Sequence, residues 1–202
     1  MNPLMDSLKE LLGKELLCRL KSIKIGIGGA GGLGSNAAMH LVRSGCQNLT
    51  IIDFDRIEPS NLNRQFYFAD QIGNFKVEAL SVNLKRINPD LQLRIGTEKI
   101  TKENVETIFA DCDLWIEAFD SAEAKKFFVE AALKKGKYVV SASGIAGWGN
   151  SDALKTREIT AKFVVVGDLE SEVTVHKPPM SPRVGIAAAK EADTVLTWIL
   201  GL

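Results

Sequence analysis

Cysteine is scarce in this 202-residue chain, which contains only Cys18, Cys46 and Cys112. The three lie far apart, and no CxxC pair occurs. This spacing excludes the cross-linked framework of a small disulfide-rich protein, and it also excludes a cysteine-rich zinc site. We therefore expect no zinc, and the unpaired thiols suit a reducing cytoplasm.

An excess of one charge and a long apolar run are also missing. Lys plus Arg and Asp plus Glu number 25 each, so the formal net charge is zero and any anion site must be local. No apolar run approaches the roughly 20 residues of a membrane helix. Acidic residues interrupt the N-terminal apolar stripe, which is unlike a signal peptide. We expect a cytoplasmic protein that binds neither nucleic acid nor a membrane.

The chain does contain a regular alternation of strand-like and helix-like segments. Leucines at helical spacing predict an N-terminal helix over residues 1–20. Residues 21–145 alternate short apolar runs such as "SIKIGIG" with helices, including Ser35–Arg43 and "KENVETIFAD". This pattern is typical of an α/β fold with a doubly wound, Rossmann-like, mainly parallel sheet. Residues 146–202 predict an antiparallel extension and a closing apolar helix, so we expect a single domain over 1–202.

The segment "IKIGIGGAGGLGSN" holds six glycines, four of which lie between the first predicted strand and its helix. Glycine permits positive φ and removes the Cβ atom, so backbone amides can approach phosphate oxygens closely. The start of a helix adds partial positive charge at the same point. The turn therefore predicts a nucleotide site, while some of its glycines could serve only tight packing of strand and helix. The candidate residues are Gly29, Gly31, Gly32 and Gly34.

Asp53 ends the second predicted strand, where the dinucleotide-binding fold places an acid that binds ribose hydroxyls. Asp55 points the same way along an extended chain, so either carboxylate could be the ribose ligand. A turn residue at a strand end is the simpler alternative. Glycines and Asp53 alone fit NAD as well as ATP.

The next segment favours a polyphosphate. "SNLNRQF" places Arg64 beside Asn61 and Gln65, and "IGNFK" places Lys76 at the start of a helix. The helix dipole disfavours a lysine in a first turn, which is easier to explain if an anion lies there. A forked guanidinium and a compact ammonium together suit a polyphosphate under attack at phosphorus.

Asp120 ends the fourth predicted strand, in "DLWIEAFD". Ligands of open parallel sheets bind at the carboxyl ends of the strands. A carboxylate there can hold Mg²⁺ between nucleotide phosphates. Asp120 could also be the N-cap of the following helix, and both roles can hold at once.

Six ordered motifs together carry a resemblance to a known family. They are "GIGGAGGLGSN", "LTIIDFDRIEPSNLNRQF", "IGNFKVEAL", "RINP", "EAFDS" and "RVGIAAAKEADTVL". The chain resembles the ThiF/MoeB/HesA family, relatives of the ubiquitin-activating enzymes, and most closely a compact ThiF branch. The resemblance implies ATP- and Mg²⁺-dependent adenylation of the C-terminal glycine carboxylate of a small ubiquitin-like, ThiS-like sulfur carrier, in the formation of the thiamine thiazole.

The resemblance also implies roles for individual residues. Gly29, Gly31 and Asp53 would contact the nucleotide, Asn61, Arg64 and Lys76 the phosphates, and Asp120 the metal. It implies a carrier that ends in Gly-Gly, a separate sulfur donor and a homodimer, which the apolar closing helix favours. Longer family members carry two CxxC pairs for zinc, which this chain lacks. Some carry a cysteine in the C-terminal half that bonds covalently to the carrier; the last cysteine here is Cys112, so we expect no such intermediate.

Two other functions remain open from the sequence. An NAD-dependent oxidoreductase would use the glycines and Asp53. A non-catalytic nucleotide-binding relative would keep the fold without the chemistry, although Arg64, Lys76 and Asp120 are all present.

Overall fold

The computed structural model describes residues 2–201, and its seven strands form one sheet in the order β3-β2-β1-β4-β5-β7-β6. The strands are β1 Lys24–Gly28, β2 Asn48–Ile52, β3 Gln92–Gly96, β4 Leu114–Glu117, β5 Tyr138–Ala142, β6 Lys155–Thr160 and β7 Phe163–Gly167. The α-helices are α1 Pro3–Ser22, α2 Gly32–Arg43, α3 Lys76–Ile87, α4 Val105–Ile108, α5 Ala122–Lys134 and α6 Ser181–Leu200.

The strand order confirms the predicted fold class. Strands β1 to β5 pair in parallel, and β1 lies between β2 and β4. The order therefore reverses between β1 and β4, which is the switch point where open α/β sheets bind ligands at the carboxyl ends of their strands. The predicted antiparallel extension is the β6–β7 pair, and β7 joins the main sheet by pairing in parallel with β5.

The two faces of the sheet are covered by different clusters. Along β4, Leu114 and Ile116 face the larger aliphatic cluster, and Trp115 between them faces an aromatic cluster with Phe109 and Phe128. This alternation is the period of two expected of a strand. The ring centroids of Trp115 lie 5.2 Å from Phe109 and 5.1 Å from Phe128.

The glycines of β1 make room for the aromatic cluster. A Cβ atom on Gly26 would lie 2.5 Å from Phe109 Cδ1, and one on Gly28 would lie 2.7 Å from Phe119 and from Phe128. The alternating Ile25 and Ile27 are fully buried on the other face. The first glycines of the motif therefore serve packing.

Several predicted boundaries shift. Helix α2 begins at Gly32, three residues before the predicted Ser35, and α4 is a single turn where a longer helix was predicted. Helix α1 is interrupted at Gly13, whose φ is +79°. Strand β4 ends at Glu117, so the prediction that Asp120 ends the strand is wrong, and Asp120 lies in the following turn.

The closing helix α6 does not expose the apolar surface that favoured a dimer. Its apolar residues Val184, Ala188, Val195 and Ile199 are buried within the chain, because α6 packs on α2 and on the sheet. This helix therefore gives no physical support for a homodimer. Within residues 2–201, no helix is both long enough and apolar enough to cross a membrane.

The cysteines differ in their access to solvent, and this generates a testable expectation. Cys46 and Cys112 are buried, and burial raises the pKa of their thiols to about 12 and about 11, whereas Cys18 is exposed. Since the thiolate is the nucleophile, iodoacetamide at pH 8 should alkylate Cys18 alone in the folded protein. Peptide mass spectrometry should show all three modified in denaturant, and rapid native labelling of Cys46 or Cys112 would contradict this packing.

Candidate active site

The glycine turn ends in a helix start with free donors. Gly31 is the N-cap of α2 and provides no side-chain cap. The first amides of a helix have no partner within the helix, so this terminus presents N–H groups to any anion placed there. Ala30 is fixed on both sides, because its N–H donates to Asp53 Oδ2 at 2.6 Å and its carbonyl accepts from the Tyr67 hydroxyl at 2.7 Å.

The glycines of the turn have separate roles. Gly29 has a φ of +99°, and a Cβ atom on it would lie 2.6 Å from the carbonyl oxygen of Ala118. A Cβ atom on Gly34 would lie only 1.9 Å from the carbonyl oxygen of Gly29. Gly34 therefore serves the packing of α2 against the end of β1. At Gly31 the nearest atom to a Cβ would be Gln65 Nε2 at 3.8 Å, so its bare backbone faces open space.

A first cavity of about 580 Å³ opens beside this turn. Gly29, Gly31 and Asp53 line it at the ends of β1 and β2. Its apolar wall consists of Ile52, Phe54, Ile100, Phe119 and Phe127. A cavity of this size with an apolar wall and a few polar groups is typical of a small-molecule site.

Asp53 holds the turn together. Its Oδ1 accepts from the Asp55 N–H at 2.8 Å, in addition to the Ala30 bond at Oδ2. Burial raises the pKa of the Asp53 carboxyl, and the hydrogen bond from Ala30 and the charge of Lys76 oppose that rise. A carboxylate has about four lone-pair sites, so two remain to accept ribose hydroxyls.

Lys76 and Asp55 form an ion pair at the edge of the first cavity. Lys76 Nζ lies 2.7 Å from Asp55 Oδ2, and the side chains are 8% and 48% exposed. A lysine at the start of a helix is easier to explain if an anion lies beside it, and in this structure that anion is the Asp55 carboxylate. Both residues line the cavity, so a bound polyanion could compete with Asp55 for the ammonium.

Arg64 lines a second cavity, of about 410 Å³, together with Gln65 and Lys125. Arg64 Nη1 donates to the carbonyl oxygen of Ser60 at 3.0 Å and to Asn63 Oδ1 at 2.8 Å. Gln65 is buried, and its Oε1 has no partner among the described residues. The two cations that the sequence predicted together thus line neighbouring cavities.

Asn61 lines neither of these cavities. Its side chain accepts from the Glu58 N–H at 3.1 Å and closes the short 3₁₀ turn Pro59–Asn61. In this structure Asn61 shapes the loop that carries Arg64, and its predicted phosphate contact stays a prediction.

Asp120 lies where the two cavities meet. Both cavities are lined by Gly31 and by the turn Ala118–Asp120 that follows β4. Ser121 is the N-cap of α5, because its Oγ accepts from the Ala124 N–H, so the N-cap reading of Asp120 is wrong. Asp120 is exposed, and no hydrogen bond or ion pair within residues 2–201 involves its carboxylate.

The described residues contain no group of three or more metal-ligating side chains of the His, Cys, Asp and Glu types. A lone carboxylate such as Asp120 fits Mg²⁺, which proteins commonly hold through one or two carboxylates together with substrate phosphates and water. The residues present therefore suit a metal that arrives with the nucleotide.

Sequence reasoning missed a buried network behind the Asp120 turn. Glu117 is fully buried at the end of β4 and pairs with Lys125 of α5, and the fully buried Glu191 of α6 lies nearby. A glutamate inside the apolar run "DLWIEAFD" was the available signal, since ionised side chains are almost never buried unless they are paired.

Two glycine variants separate packing from phosphate approach. Gly34→Ala should lower the melting temperature by several degrees, because its Cβ atom meets backbone that cannot rotate away. Gly31→Ala should keep the melting temperature near that of the wild type but weaken ATP binding by roughly tenfold or more, since its methyl group faces the cavity. Calorimetric titration and thermal melting measure both. Wild-type ATP affinity in Gly31→Ala would contradict the assignment of the turn.

The sequence matches the ThiF family over residues 4–201. The adenylyltransferase and sulfurtransferase UBA4 of Candida glabrata is 34% identical over 142 residues, which cover 70% of this chain and 33% of that protein. Its Aspergillus niger counterpart is 32% identical over 153 residues, covering 71% and 32%. The chain thus spans about a third of the length of these curated relatives.

Solved structures share the fold. The tRNA N6-threonylcarbamoyladenosine dehydratase TcdA of E. coli, in complex with ATP, superposes with a TM-score of 0.89 at 20% identity. The superposition covers 98% of this chain and 93% of the TcdA chain. E. coli MccB, in complex with AMPCPP and MccA, gives a TM-score of 0.72 at 21% identity, with 92% and 58% covered. Since the family match extends over nearly the whole sequence, the chain belongs to the ThiF family.

Proposed function

We propose that this protein uses ATP to adenylate a carboxylate, forming an acyl-adenylate and pyrophosphate. The observation that carries the proposal is the meeting of two cavities at Gly31 and the Ala118–Asp120 turn, beside the uncapped start of α2. A reaction that joins a nucleotide to a second substrate needs two such spaces with a shared wall. UBA4, a relative by sequence, is named an adenylyltransferase.

ATP would occupy the first cavity. The apolar wall of Phe54, Ile100 and Phe127 would hold the base, and the two free acceptor sites of Asp53 would bind the ribose. The phosphates would then reach Gly31 and the amides at the start of α2, whose partial positive charge favours an anion. The α-phosphorus would lie near the wall that the cavities share.

The carboxylate substrate would enter through the second cavity. One of its oxygens attacks the α-phosphorus, a new O–P bond forms, and the bond to the bridging oxygen breaks so that pyrophosphate leaves. No side-chain base is required, because a carboxyl group is already ionised near neutral pH. The obstacle is repulsion between two anions, which favours cations on both sides of the reacting phosphorus.

Arg64 and Lys76 suit that requirement because they line different cavities. Lys76 would exchange Asp55 for a phosphate oxygen, and Arg64 would exchange the Ser60 carbonyl for the substrate or the α-phosphate. Asp120 would hold Mg²⁺, which neutralises phosphate charge when it is bound.

For the substrate we propose the C-terminal glycine carboxylate of a small ubiquitin-like sulfur carrier that ends in Gly-Gly. The name of UBA4 joins adenylyl and sulfur transfer, which supports a carrier that then accepts sulfur from a separate donor. Placement in the formation of the thiamine thiazole rests on the sequence resemblance alone.

The proposal of a homodimer also rests on the sequence resemblance alone. Light scattering at micromolar concentration measures the mass of the particle in solution, and the mass of a monomer would contradict the dimer.

A tRNA substrate is the second candidate. TcdA, whose name places its reaction on a tRNA nucleoside, matches nearly the full length of this chain, whereas UBA4 is about three times longer than the match. The zero formal net charge weighs against it, because a protein that binds a polyanion gains most of its affinity from an excess of basic residues.

Two cation variants test the phosphate side. Lys76→Met and Arg64→Ala should each slow carrier-dependent ATP–pyrophosphate exchange by roughly 10²–10³-fold, the usual scale for losing one charge-stabilising group. Lys85→Met and Arg86→Ala, on the exposed side of α3, are matched controls and should exchange at the wild-type rate. Melting temperatures should stay near that of the wild type in all four.

The same assay separates the substrates. Deleting the terminal Gly-Gly of the carrier should abolish exchange in the wild-type enzyme. Exchange that depends on modified tRNA, and not on any carrier, would favour the second candidate. Wild-type exchange in both cation variants would show that Arg64 and Lys76 do not act at the phosphates, and tighter binding of NAD than of ATP would overturn adenylation altogether.

A further inference from the structure

Glu117 and Lys125 lie directly behind the turn where the two cavities meet. Glu117 ends β4 with no exposed surface, and Lys125 lies in the first turns of α5 with 26% of its side chain exposed. Lys125 also lines the second cavity, so the pair reaches from the core to the wall of the site. The adenylation chemistry argued above uses neither residue.

The Glu117 carboxylate is fully occupied. Oε1 accepts from the Phe119 N–H at 2.7 Å, and both oxygens accept from Lys125 Nζ at 3.1 Å. Oε2 also accepts from the Ser141 hydroxyl. The hydrogen bond from the Phe119 N–H therefore ties the middle of the Ala118–Asp120 turn to a buried side chain of the preceding strand.

Lys125 connects this turn to the neighbouring strand. Besides the carboxylate, its ammonium donates to the carbonyl oxygen of Ala142 at 3.0 Å, at the end of β5. The ends of β4 and β5 and the first turn of α5 are thus joined through one ion pair, whose carboxylate is fully buried. The turn is also held by the Ala118 N–H, which donates to the Gly28 carbonyl at 2.9 Å, and by the Phe119 ring, whose centroid lies 5.3 Å from that of Phe128.

The surroundings make the pair sensitive to the loss of either partner. Burial raises the pKa of the Glu117 carboxyl, and the Lys125 ammonium opposes that rise. Glu191 of α6 is fully buried, neither of its oxygens has a partner among the described residues, and burial together with Glu117 holds its pKa well above the ordinary range. Among the described residues, Lys125 is the cation that pairs with Glu117.

We infer that Glu117 and Lys125 are positioning residues, which hold the Ala118–Asp120 turn at the junction of the cavities in the geometry needed for reaction. The inference rests on the proposed adenylation for its kinetic consequence, whereas the order of the turn can be measured without it. Displacement of a reacting group by about 1 Å can cost roughly 10²-fold in rate, so a loosened turn should be visible in kcat.

The test compares Lys125→Met with Lys126→Met. Both substitutions remove an ammonium from α5 and keep an apolar stem, but the Lys126 side chain is 75% exposed and pairs with Glu130, itself 64% exposed, at the surface of the helix. Lys125→Met should lower kcat of ATP–pyrophosphate exchange by roughly 10²-fold while KM for ATP changes little. The Phe119 amide, followed by NMR hydrogen exchange, should lose protection by roughly tenfold or more. Lys126→Met should behave as the wild type in both measurements.

A double variant separates positioning from stability. Lys125→Met alone leaves a buried unpaired carboxylate and should lower the melting temperature, whereas Glu117→Met combined with Lys125→Met removes both charges and the acceptor of the Phe119 N–H, and should restore much of it. If the pair positions the turn, kcat stays low in the double variant. Recovery of kcat together with the melting temperature would overturn the inference, because the pair would then serve stability alone.

Failure of the proposed function gives a different result. If the wild-type enzyme shows no exchange with any carrier or tRNA, adenylation is wrong, and the protection of the Phe119 amide still decides the positioning. Unchanged protection in folded Lys125→Met would overturn it.

Discussion

The close approach of helix α2 to the end of strand β1 is the constraint on which the site depends. At Gly34 a single Cβ atom would lie 1.9 Å from the carbonyl oxygen of Gly29, so the helix can reach the strand only without a side chain there. This approach brings the uncapped amides of α2 to the carboxyl edge of the sheet, between β2 with Asp53 and β4 with the Asp120 turn. Both cavities are arranged around that helix start.

Each cation of the site already has an internal partner. Lys76 pairs with Asp55, Arg64 donates to the Ser60 carbonyl, and Lys125 pairs with Glu117. The first two partners are replaceable because Asp55 is half exposed and a carbonyl is neutral, whereas Glu117 is fully buried and Lys125 is its only cationic partner within residues 2–201. Ligands can therefore recruit Lys76 and Arg64, while Lys125 stays part of the framework. An interaction that becomes stronger only as charge develops in the transition state raises the reaction rate more than the affinity for the substrate, which is the effect proposed for Lys76 and Arg64.

The fold and the first cavity could be predicted from sequence because their signals are local. Gly29, Gly31 and Asp53 follow strands that the alternation of strand and helix predicts to be parallel, so their side of the sheet is predicted too. What could not be predicted depends on distant parts of the chain. Arg64 and Lys76 are close in sequence, yet the loop that Asn61 caps takes them to different cavities. The pairing of Glu117 with Lys125 and Ser141 needs three elements that meet only in the folded chain.

The most direct measurement of the central claim follows an oxygen atom. The enzyme is incubated with ATP, Mg²⁺, hydroxylamine and a carrier in which both oxygens of the C-terminal carboxylate are ¹⁸O, and the nucleotide product is analysed by mass spectrometry. If the carboxylate attacks the α-phosphorus and hydroxylamine then cleaves the acyl group, AMP retains one carboxylate oxygen. The account predicts AMP with one ¹⁸O and a carrier hydroxamate. Unlabelled AMP, or ADP in its place, would contradict it, because the carboxylate would then not have formed a bond to the α-phosphorus.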